Sequence, residues 1–489
     1  MRRIFSKPIT ALLAGAVLRL FLLVKFPAGA GDTVLYEQFA ANWLRFGKYA
    51  MDIGGLPVPI DLRMPGYPAF LAIVYALTGK TGPDARLFVM LAQVAVDLAS
   101  CIMIAGMASF LAALCGPRAD YKRGFTVALW MAALCPFTAN YVAVPLTEVW
   151  AGFFTAAAMT TLLVLVARRN TEKFTRFTNF EWIADSHWIL AAKFGFLVGL
   201  GTLFRPETPL LLITTLLLFT WWMFLRGGVK RWLLTSLLMG LACLLPLMPW
   251  TLRNAITLHE FQPLAPKDAT LSGELDPKGF MAWERTWLFR VRDCYLVAWK
   301  LNDESINVED IPPNAFDTPE EKQRVAAVLE TYNDELTLTA DEDQVFAQLA
   351  RERTGRHPLR TYLTIPLRRA GRMWFTPRIE LLPVSGHVFP LAEMREEDPV
   401  DQQVTIAFFL VNALYVCLGL LGAYKLWQHR DARPALLALL LYILVRTAFL
   451  TTQEAPEPRY TLVCFPAVIA FAAVVFAGKE KAKPLAGYR

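Results

Sequence analysis

Long apolar stretches alternate with short polar segments along most of the 489-residue chain. Ten of the apolar stretches approach or exceed the roughly 18–20 residues that a helix needs to cross a bilayer core. They predict about ten membrane-spanning helices, near 9–28, 86–115, 124–141, 148–167, 188–204, 208–225, 232–250, 403–424, 434–452 and 460–477. The pattern therefore predicts an all-α polytopic membrane protein.

Two of the polar segments are long, and the second is too long to be only a connection. The first outer loop, about 29–85, contains an amphipathic stretch through Trp43 and Leu44. It also contains an apolar run, 69–77, that suits the membrane interface. The stretch that follows Asp32 is therefore a candidate helix, and the apolar run is a candidate interfacial segment.

The second long segment, 253–402, is acidic in its middle and has helical patterns such as Glu320–Tyr332. It predicts a mainly helical extracytoplasmic domain. We therefore divide the chain into an N-terminal transmembrane module (1–252), this domain (253–402), and C-terminal transmembrane helices with a cytoplasmic tail (403–489).

Composition agrees with a membrane protein. Hydrophobic residues make up 55% of the chain and charged residues only 19%, with a mean hydropathy of +0.38. This excludes disordered, fibrous and small disulfide-linked classes. A net charge of +7 would suit nucleic acid. However, many basic residues, such as Arg118, Lys122 and Arg123, lie in short loops where they set orientation, so we expect no nucleic-acid partner.

The positions of the basic residues predict the topology. If the N-terminus is cytoplasmic, all six cytoplasmic segments are basic, as the positive-inside rule requires. Both termini are then cytoplasmic and both long segments face outward. Ala28-Gly29-Ala30 fits a signal-peptidase site, but Arg19 interrupts the preceding apolar stretch and favours an uncleaved anchor. Arg19 and Asp97 lie deep in the first two spans, and we expect them to form a structural ion pair.

The unusual outer-face charges begin with Asp32 and Arg63. Asp32 follows the first span and suits either a general base or a helix cap. Arg63 precedes the turn Pro65-Gly66-Tyr67-Pro68 and needs a partner, either a lipid phosphate or an acid such as Asp61. The residues alone leave these alternatives open.

Later outer segments carry further acids and arginines. Each could be a structural ion pair, but several at one membrane level favour a functional site. Arginine matches phosphate geometry, and lipid phosphates lie at this level. The candidates are Glu148, Arg205, Glu207, Arg372, Glu457, Arg459 and Tyr460.

The sequence motifs of common soluble enzymes are missing. The chain has no Walker A, GxGxxG, HExxH or GxSxG motif in a suitable context, and its five histidines form no metal signature. The short cytoplasmic loops offer no room for a nucleotide-fed active site. A donor must therefore reach the outer face already activated, as a sugar on a polyprenyl phosphate would be.

Seven segments, taken in order, resemble the polytopic glycosyltransferases of the GT-C class. The resemblance is to bacterial proteins similar to dolichyl-phosphate-mannose–protein mannosyltransferases and to lipid A aminoarabinose transferases, and it covers nearly the whole chain except about 255–360. Thr33 stands where this family often has a glutamate after the aspartate. The segments are Asp32 with Tyr36, Arg63-Met64-Pro65-Gly66-Tyr67-Pro68, Leu146-Thr147-Glu148, Phe204-Arg205-Pro206-Glu207, Pro249-Trp250-Thr251-Leu252-Arg253-Asn254, Pro366-Leu367-Arg368-Arg369 and Glu457-Pro458-Arg459-Tyr460.

The resemblance implies that Asp32 is the catalytic base and that Arg63 binds the donor phosphate. Glu148 would orient the acceptor, or complete a divalent-metal site with Asp32, although two carboxylates are too few to require a metal. The other candidates are Arg205, Arg372 and Arg459 as phosphate-binding residues, and Tyr36, Tyr67, Glu207 and Tyr460 as cavity residues.

We therefore expect an inverting glycosyltransferase in a bacterial inner membrane, surrounded by membrane lipids. It would move a sugar from a polyprenyl-phosphate donor to a lipid, glycan or protein acceptor on the periplasmic face. Two alternatives stay open. One is a ligase or polymerase that uses a pyrophosphate-linked glycan. The other is a lipid or solute transporter, for which we find no matching halves.

Overall fold

The computed structural model describes residues 7–116, 118–175, 186–266, 274–386, 388 and 398–478. The chain forms two compact units. The first comprises Met1–Pro266, Pro377–Ile443 and Leu462–Arg489, and the second comprises Lys267–Thr376 and Leu444–Thr461. The boundaries of the extracytoplasmic domain, 253 and 402, stay a prediction from the sequence.

The described residues are mostly helical. The helices, in chain order, are α1 (Pro8–Lys25), α2 (Gly31–Phe46), α3 (Gly66–Thr78), α4 (Arg86–Ala113), α5 (Tyr121–Ala133), α6 (Pro136–Asn140), α7 (Glu148–Thr175), α8 (His187–Thr202), α9 (Leu210–Arg226), α10 (Val229–Leu244), α11 (Met248–Thr257), α12 (Lys278–Arg285), α13 (Val291–Leu296), α14 (Pro319–Glu335), α15 (Ala340–Arg356), α16 (Ile365–Trp374), α17 (Pro399–Trp427), α18 (Arg433–Thr451) and α19 (Phe465–Phe476).

Seven helical segments in the described part of the chain are long and apolar enough to cross a membrane. They are Pro8–Lys25, Gly82–Ala113, Glu148–Val166, Val229–Thr257, Pro399–Trp427, Arg433–Thr451 and Pro458–Phe476. The pair Tyr121–Ala133 and Pro136–Ala143 passes the same test when taken together, and the shorter His187–Thr202 and Leu210–Leu225 are also apolar. Each of the ten predicted spans thus falls on a helix. The chain is an α-helical multi-pass membrane protein, as predicted.

The predicted first outer loop, 29–85, contains regular secondary structure. The predicted amphipathic stretch is α2, and the predicted apolar run is α3, too short to span a bilayer. Between them lies a hairpin that the sequence analysis missed: β1 (Ala50–Ile53) pairs antiparallel with β2 (Leu56–Pro59). Its turn is Gly54-Gly55, with φ angles of 58° and 81° that glycine adopts without steric cost.

A bend separates α5 from α6 in the first unit. The two helical segments meet at 43°. Pro136 begins α6, and its missing N–H prevents α5 from continuing straight. The chain then runs through an ordered segment, 141–147, to the start of α7 at Glu148. The bend therefore positions one of the candidate site residues.

The predicted ion pair between the first two spans is confirmed. Arg19 Nε donates to Asp97 Oδ2 at 2.7 Å, and the Arg19 side chain is fully buried. Arg19 Nη1 also donates to the carbonyl oxygens of Gly15 at 3.0 Å and Ala133 at 2.7 Å. Arg19 of α1 therefore holds α4 and α5 together within the membrane-spanning part of the first unit.

The second unit has its own core of large side chains. Phe280, Trp283 and Trp287 pack with Phe346 of α15 and with neighbouring aliphatic residues. Gly279 lies so close to α15 that a Cβ atom there would be 1.9 Å from the Asp343 carbonyl oxygen. The predicted helix 320–332 is confirmed as α14.

Candidate active site

Asp32 and Arg63 form an ion pair in the first unit. Arg63 Nη2 donates to Asp32 Oδ1 at 3.0 Å, and about a quarter of each side chain is exposed. The sequence analysis offered a lipid phosphate or Asp61 as the partner of Arg63. The acidic partner is Asp32, the candidate base 31 residues earlier in the chain, rather than Asp61, and phosphate binding by Arg63 stays a prediction.

Asp32 is not the cap of α2. The capping residue is Ala30, and Asp32 lies in the first turn, where a negative charge interacts favourably with the helix dipole. Thr33 completes the cap, because its Oγ1 accepts from the Ala30 N–H at 3.1 Å. The same hydroxyl donates to the Pro145 carbonyl oxygen at 3.2 Å. Thr33, where the resembling family often has a glutamate, therefore ties α2 to the segment that precedes Glu148.

Arg63 is held at its backbone as well as at its side chain. The Tyr49 hydroxyl donates to the Arg63 carbonyl oxygen at 2.9 Å, and Arg63 Nη1 donates to the Leu62 carbonyl oxygen at 3.0 Å. Burial lowers the pKa of Arg63, but the Asp32 carboxylate and the Tyr36 phenol more than offset this, so the pKa is raised. Arg63 is therefore a permanent cation in a fixed position.

A second acid–arginine pair joins two other predicted segments. Arg205 Nη2 donates to Glu148 Oε1, and Arg205 Nη1 lies 3.6 Å from Glu207 Oε1. The Glu148 side chain is almost completely buried and that of Arg205 is mostly buried. Arg205 is therefore placed between two carboxylates, one at the start of α7 and one in its own turn.

Tyr36 connects the two pairs. Its pKa is raised, mainly by burial and further by the nearby Asp32 and Glu148 carboxylates, while Arg63 and Arg205 oppose the shift. All four charged groups therefore lie within electrostatic range of one neutral phenol. The Tyr36 ring also packs edge-on against Tyr67, with centroids 5.2 Å apart.

Tyr67 is fixed by an amide that the sequence analysis did not identify. The Tyr67 hydroxyl donates to Gln93 Oε1 at 2.7 Å. Gln93 Nε2 in turn donates to the carbonyl oxygens of Val142 at 3.1 Å and Val144 at 2.9 Å. Gln93 thus connects α3, α4 and the segment before Glu148. The sequence feature that could have identified Gln93 is its position as a polar amide within a predicted apolar span.

Gly66 explains how two motifs come together. Its N–H donates to the Leu203 carbonyl oxygen at 2.8 Å. A Cβ atom at this position would lie 2.6 Å from the same oxygen, so only glycine permits the contact. The close approach brings the Arg63-to-Pro68 segment against the turn that carries Arg205.

The segment around Arg253 supports the hairpin. Arg253 donates to the carbonyl oxygens of Ile60 at 2.7 Å and Tyr49 at 2.6 Å. Its guanidinium also lies over the rings of Tyr49 and Trp250, 5.5 Å and 5.3 Å from their centroids. Because Tyr49 also binds the Arg63 carbonyl oxygen, Arg253 braces the backbone that positions Arg63.

A cavity of about 340 Å³ lies beside Tyr49, Trp250 and Arg253. Its walls include Trp43, Trp250 and several prolines, together with Pro65 and Gly66 of the Arg63 motif. Lys48 and Arg253 supply positive charge. Its volume lies in the range of small-molecule sites.

The other predicted site residues lie in the second unit. Arg459 Nε is 2.6 Å from Glu457 Oε2, and the Tyr460 hydroxyl lies 2.5 Å from Glu457 Oε1. Arg372 lies in the last turn of α16. Phosphate binding by Arg372 and Arg459 stays a prediction, as does a cavity role for Tyr460.

The carboxylates do not suit a divalent cation. Asp32 and Glu148 each bind an arginine, whose positive charge would repel a metal at the same oxygens. Among the described residues, no group of three or more histidine, cysteine or acidic side chains is arranged to hold a metal ion.

Among known proteins, only solved structures match the chain. No family model matches the chain, and no curated protein matches it. An archaeal oligosaccharyltransferase, AglB from Archaeoglobus fulgidus in complex with an inhibitory peptide and a dolichol-phosphate, matches with a TM-score of 0.48 and 12% identity. The match covers 95% of this chain and 50% of that one, so the chain spans about half the length of AglB.

ArnT from Cupriavidus metallidurans also matches. In the apo state it has a TM-score of 0.37 and 13% identity, covering 95% of this chain and 77% of that chain. Bound to undecaprenyl phosphate, it has a TM-score of 0.36 and 11% identity, covering 96% and 77%.

Proposed function

We propose that this protein transfers a sugar from a polyprenyl-phosphate donor to an acceptor hydroxyl or amine at the outer face of a bacterial inner membrane. The observation that carries the proposal is the pairing of Asp32 with Arg63, next to the pair of Glu148 and Arg205, around the neutral phenol of Tyr36. A carboxylate base and fixed cations are the groups that such a transfer requires.

Arg63 would hold the donor phosphate. A guanidinium binds phosphate oxygens through two parallel N–H donors and stabilises the charge that the phosphate gains as it leaves. Arg63 is partly exposed and fixed by Tyr49, so a phosphate can reach it without moving the backbone. The cavity beside Pro65 and Gly66 would receive the part of the carrier lipid next to that phosphate.

Asp32 would be the general base. It takes the proton from the acceptor hydroxyl or amine as the acceptor atom forms its bond to the anomeric carbon. The bond from that carbon to the phosphate oxygen breaks, and the polyprenyl phosphate keeps the electron pair. Attack from the face opposite the phosphate inverts the anomeric centre. Glu148, held by Arg205, would orient the acceptor.

Mass spectrometry of cells with and without the gene tests this function. The proposal predicts that, without the gene, one polyprenyl-phosphate sugar accumulates and one lipid, glycan or protein modification disappears. Accumulation of a pyrophosphate-linked glycan would instead indicate a ligase or polymerase. If neither pool changes in cells known to express the protein, the transfer function is wrong and transport assays become the next experiment.

A further inference from the structure

One helical stretch of the second unit exposes apolar side chains along its length. It comprises residues 358–374 and includes the turn Arg360–Thr364 and α16. The spacing of the exposed side chains, at intervals of three, four and eight residues, is that of one helix face. These side chains are Leu359, Tyr362, Leu363 and Leu367, which are 73%, 75%, 54% and 63% exposed.

The same stretch is firmly attached to its unit. Ile365, Arg369 and Met373 are buried. Arg369 Nε donates to the Leu288 carbonyl oxygen at 2.7 Å, and Nη1 donates to the Thr451 carbonyl oxygen at 3.0 Å. The exposed apolar side chains are therefore a fixed surface rather than the outcome of a loosely held helix.

Two arginines next to this surface, Arg290 and Arg368, have no acidic partner among the residues that the structure describes. The guanidinium carbons of Arg290 and Arg368 lie 5.5 Å and 5.2 Å from the centre of the Phe289 ring. Within the described ranges, neither guanidinium forms an ion pair or a hydrogen bond, and Arg290 Nε is buried with no hydrogen-bond partner. By contrast, the buried Arg353 of the same unit binds Glu321 Oε2 at 2.8 Å.

This contrast indicates an anionic ligand. Cationic side chains that fold without carboxylate partners, and that an aromatic ring holds in place, suit a negatively charged group from outside the chain. Arg368 directly follows the exposed Leu367, so positive charge and apolar surface lie side by side. That combination, on a helix, is the chemistry of a membrane interface with anionic head groups.

We propose that this surface of the second unit, formed by Leu359, Tyr362, Leu363, Leu367, Arg290 and Arg368, docks into an anionic lipid surface. The four apolar side chains enter the boundary between head groups and acyl chains, and the two arginines bind lipid phosphates. The occupant is membrane phospholipid, so this surface is independent of the donor and acceptor of the proposed reaction.

Spin-label accessibility in the full-length protein tests the proposal. Cys417 is the exposed cysteine and is first replaced by serine. A nitroxide is then placed at Leu363→Cys or, as a control, at Arg351→Cys, which is exposed on α15 of the same unit. In nanodiscs of phosphatidylglycerol, we expect the label at 363 to be accessible to oxygen and shielded from a water-soluble nickel relaxant. The label at 351 should show the reverse.

Charge variants and a change of membrane distinguish docking to lipid from docking to a protein partner. Both charge variants are made in the Leu363→Cys background, and the quantity measured is the phosphatidylglycerol fraction at which the label is half shielded from the nickel relaxant. Arg368→Gln should raise this fraction by about fivefold. Arg351→Gln should leave it unchanged. A water-exposed label at 363 in every lipid would overturn the proposal. So would shielding that occurs in native membranes but not in pure-lipid nanodiscs, because a protein partner would then cover the surface.

Discussion

The Arg63 guanidinium binds the Asp32 carboxylate at 3.0 Å, and both side chains remain reachable from solvent, with 29% and 27% of their surfaces exposed. The cation proposed to bind the donor phosphate is thus the partner of the acid proposed to take the acceptor's proton. An arriving phosphate would share Arg63 with Asp32. Donor binding and the base would therefore be coupled through one side chain.

Replacing Arg63 by glutamine should weaken use of the donor. Loss of a charge-assisted hydrogen bond costs about 1.5–3 kcal/mol, so we expect KM for the donor to rise roughly tenfold to a hundredfold. Steady-state kinetics with varied donor measure this. Arg86→Gln is the matched control, because Arg86 forms an ion pair with Glu37 in the same loop region, with Nε to Oε1 at 2.7 Å. An unchanged donor KM in Arg63→Gln would remove Arg63 from the phosphate site.

The pair of Arg19 and Asp97 should stabilise the fold. Asp97→Asn leaves the fully buried Arg19 charge without its counter-ion, which typically costs about 3–5 kcal/mol. We expect a clearly lower thermal unfolding midpoint in detergent. The double variant Arg19→Met with Asp97→Leu should recover most of the loss, because it removes both charges. An unchanged midpoint in Asp97→Asn would show that the pair is unimportant.

Glu284 should make stability depend on pH. Burial raises its pKa well above the ordinary value, Glu454 raises it further, and Arg369 and Arg285 oppose the shift. The folded chain therefore keeps a proton that the unfolded chain loses, so this contribution is fully present below the ordinary glutamate pKa. It falls as pH rises toward the folded pKa.

Unfolding midpoints measured from pH 4.5 upward test this contribution. Glu284→Gln should flatten the fall in stability with rising pH, because glutamine does not ionise. Glu330→Gln, on the exposed face of α14, is the control and should follow the wild-type profile. A parallel profile in Glu284→Gln would mean that Glu284 does not bind the extra proton.

Local sequence patterns predicted the helices well. Hydropathy located the apolar helices on which the ten predicted spans fall, because an apolar run long enough to cross a bilayer has few other structures available. Periodicity located α14, and the isolated charges in two spans predicted the contact of Arg19 with Asp97. Each of these inferences depends on residues that are close in sequence or on the high cost of a charge in an apolar environment.

The partners within the site were not predictable in this way. The sequence analysis did not pair Arg63 with Asp32, and it missed the hairpin whose support includes Arg253. Gln93 and Gly66 act through contacts to residues about 50 and 137 positions away. Such contacts depend on how helices pack, which no local pattern contains.

The most direct test of the account is the rate of sugar transfer by purified Asp32→Asn protein, using the lipid-linked sugar that accumulates in cells lacking the gene. A general base contributes about 10²–10⁴-fold, so we predict at least a hundredfold loss of transfer by a protein that still folds and still binds the donor. Asp52→Asn is the control, since Asp52 binds Asn42 and Gln38 in the same loop. Near wild-type transfer by a folded Asp32→Asn protein would contradict the role of Asp32 as the base.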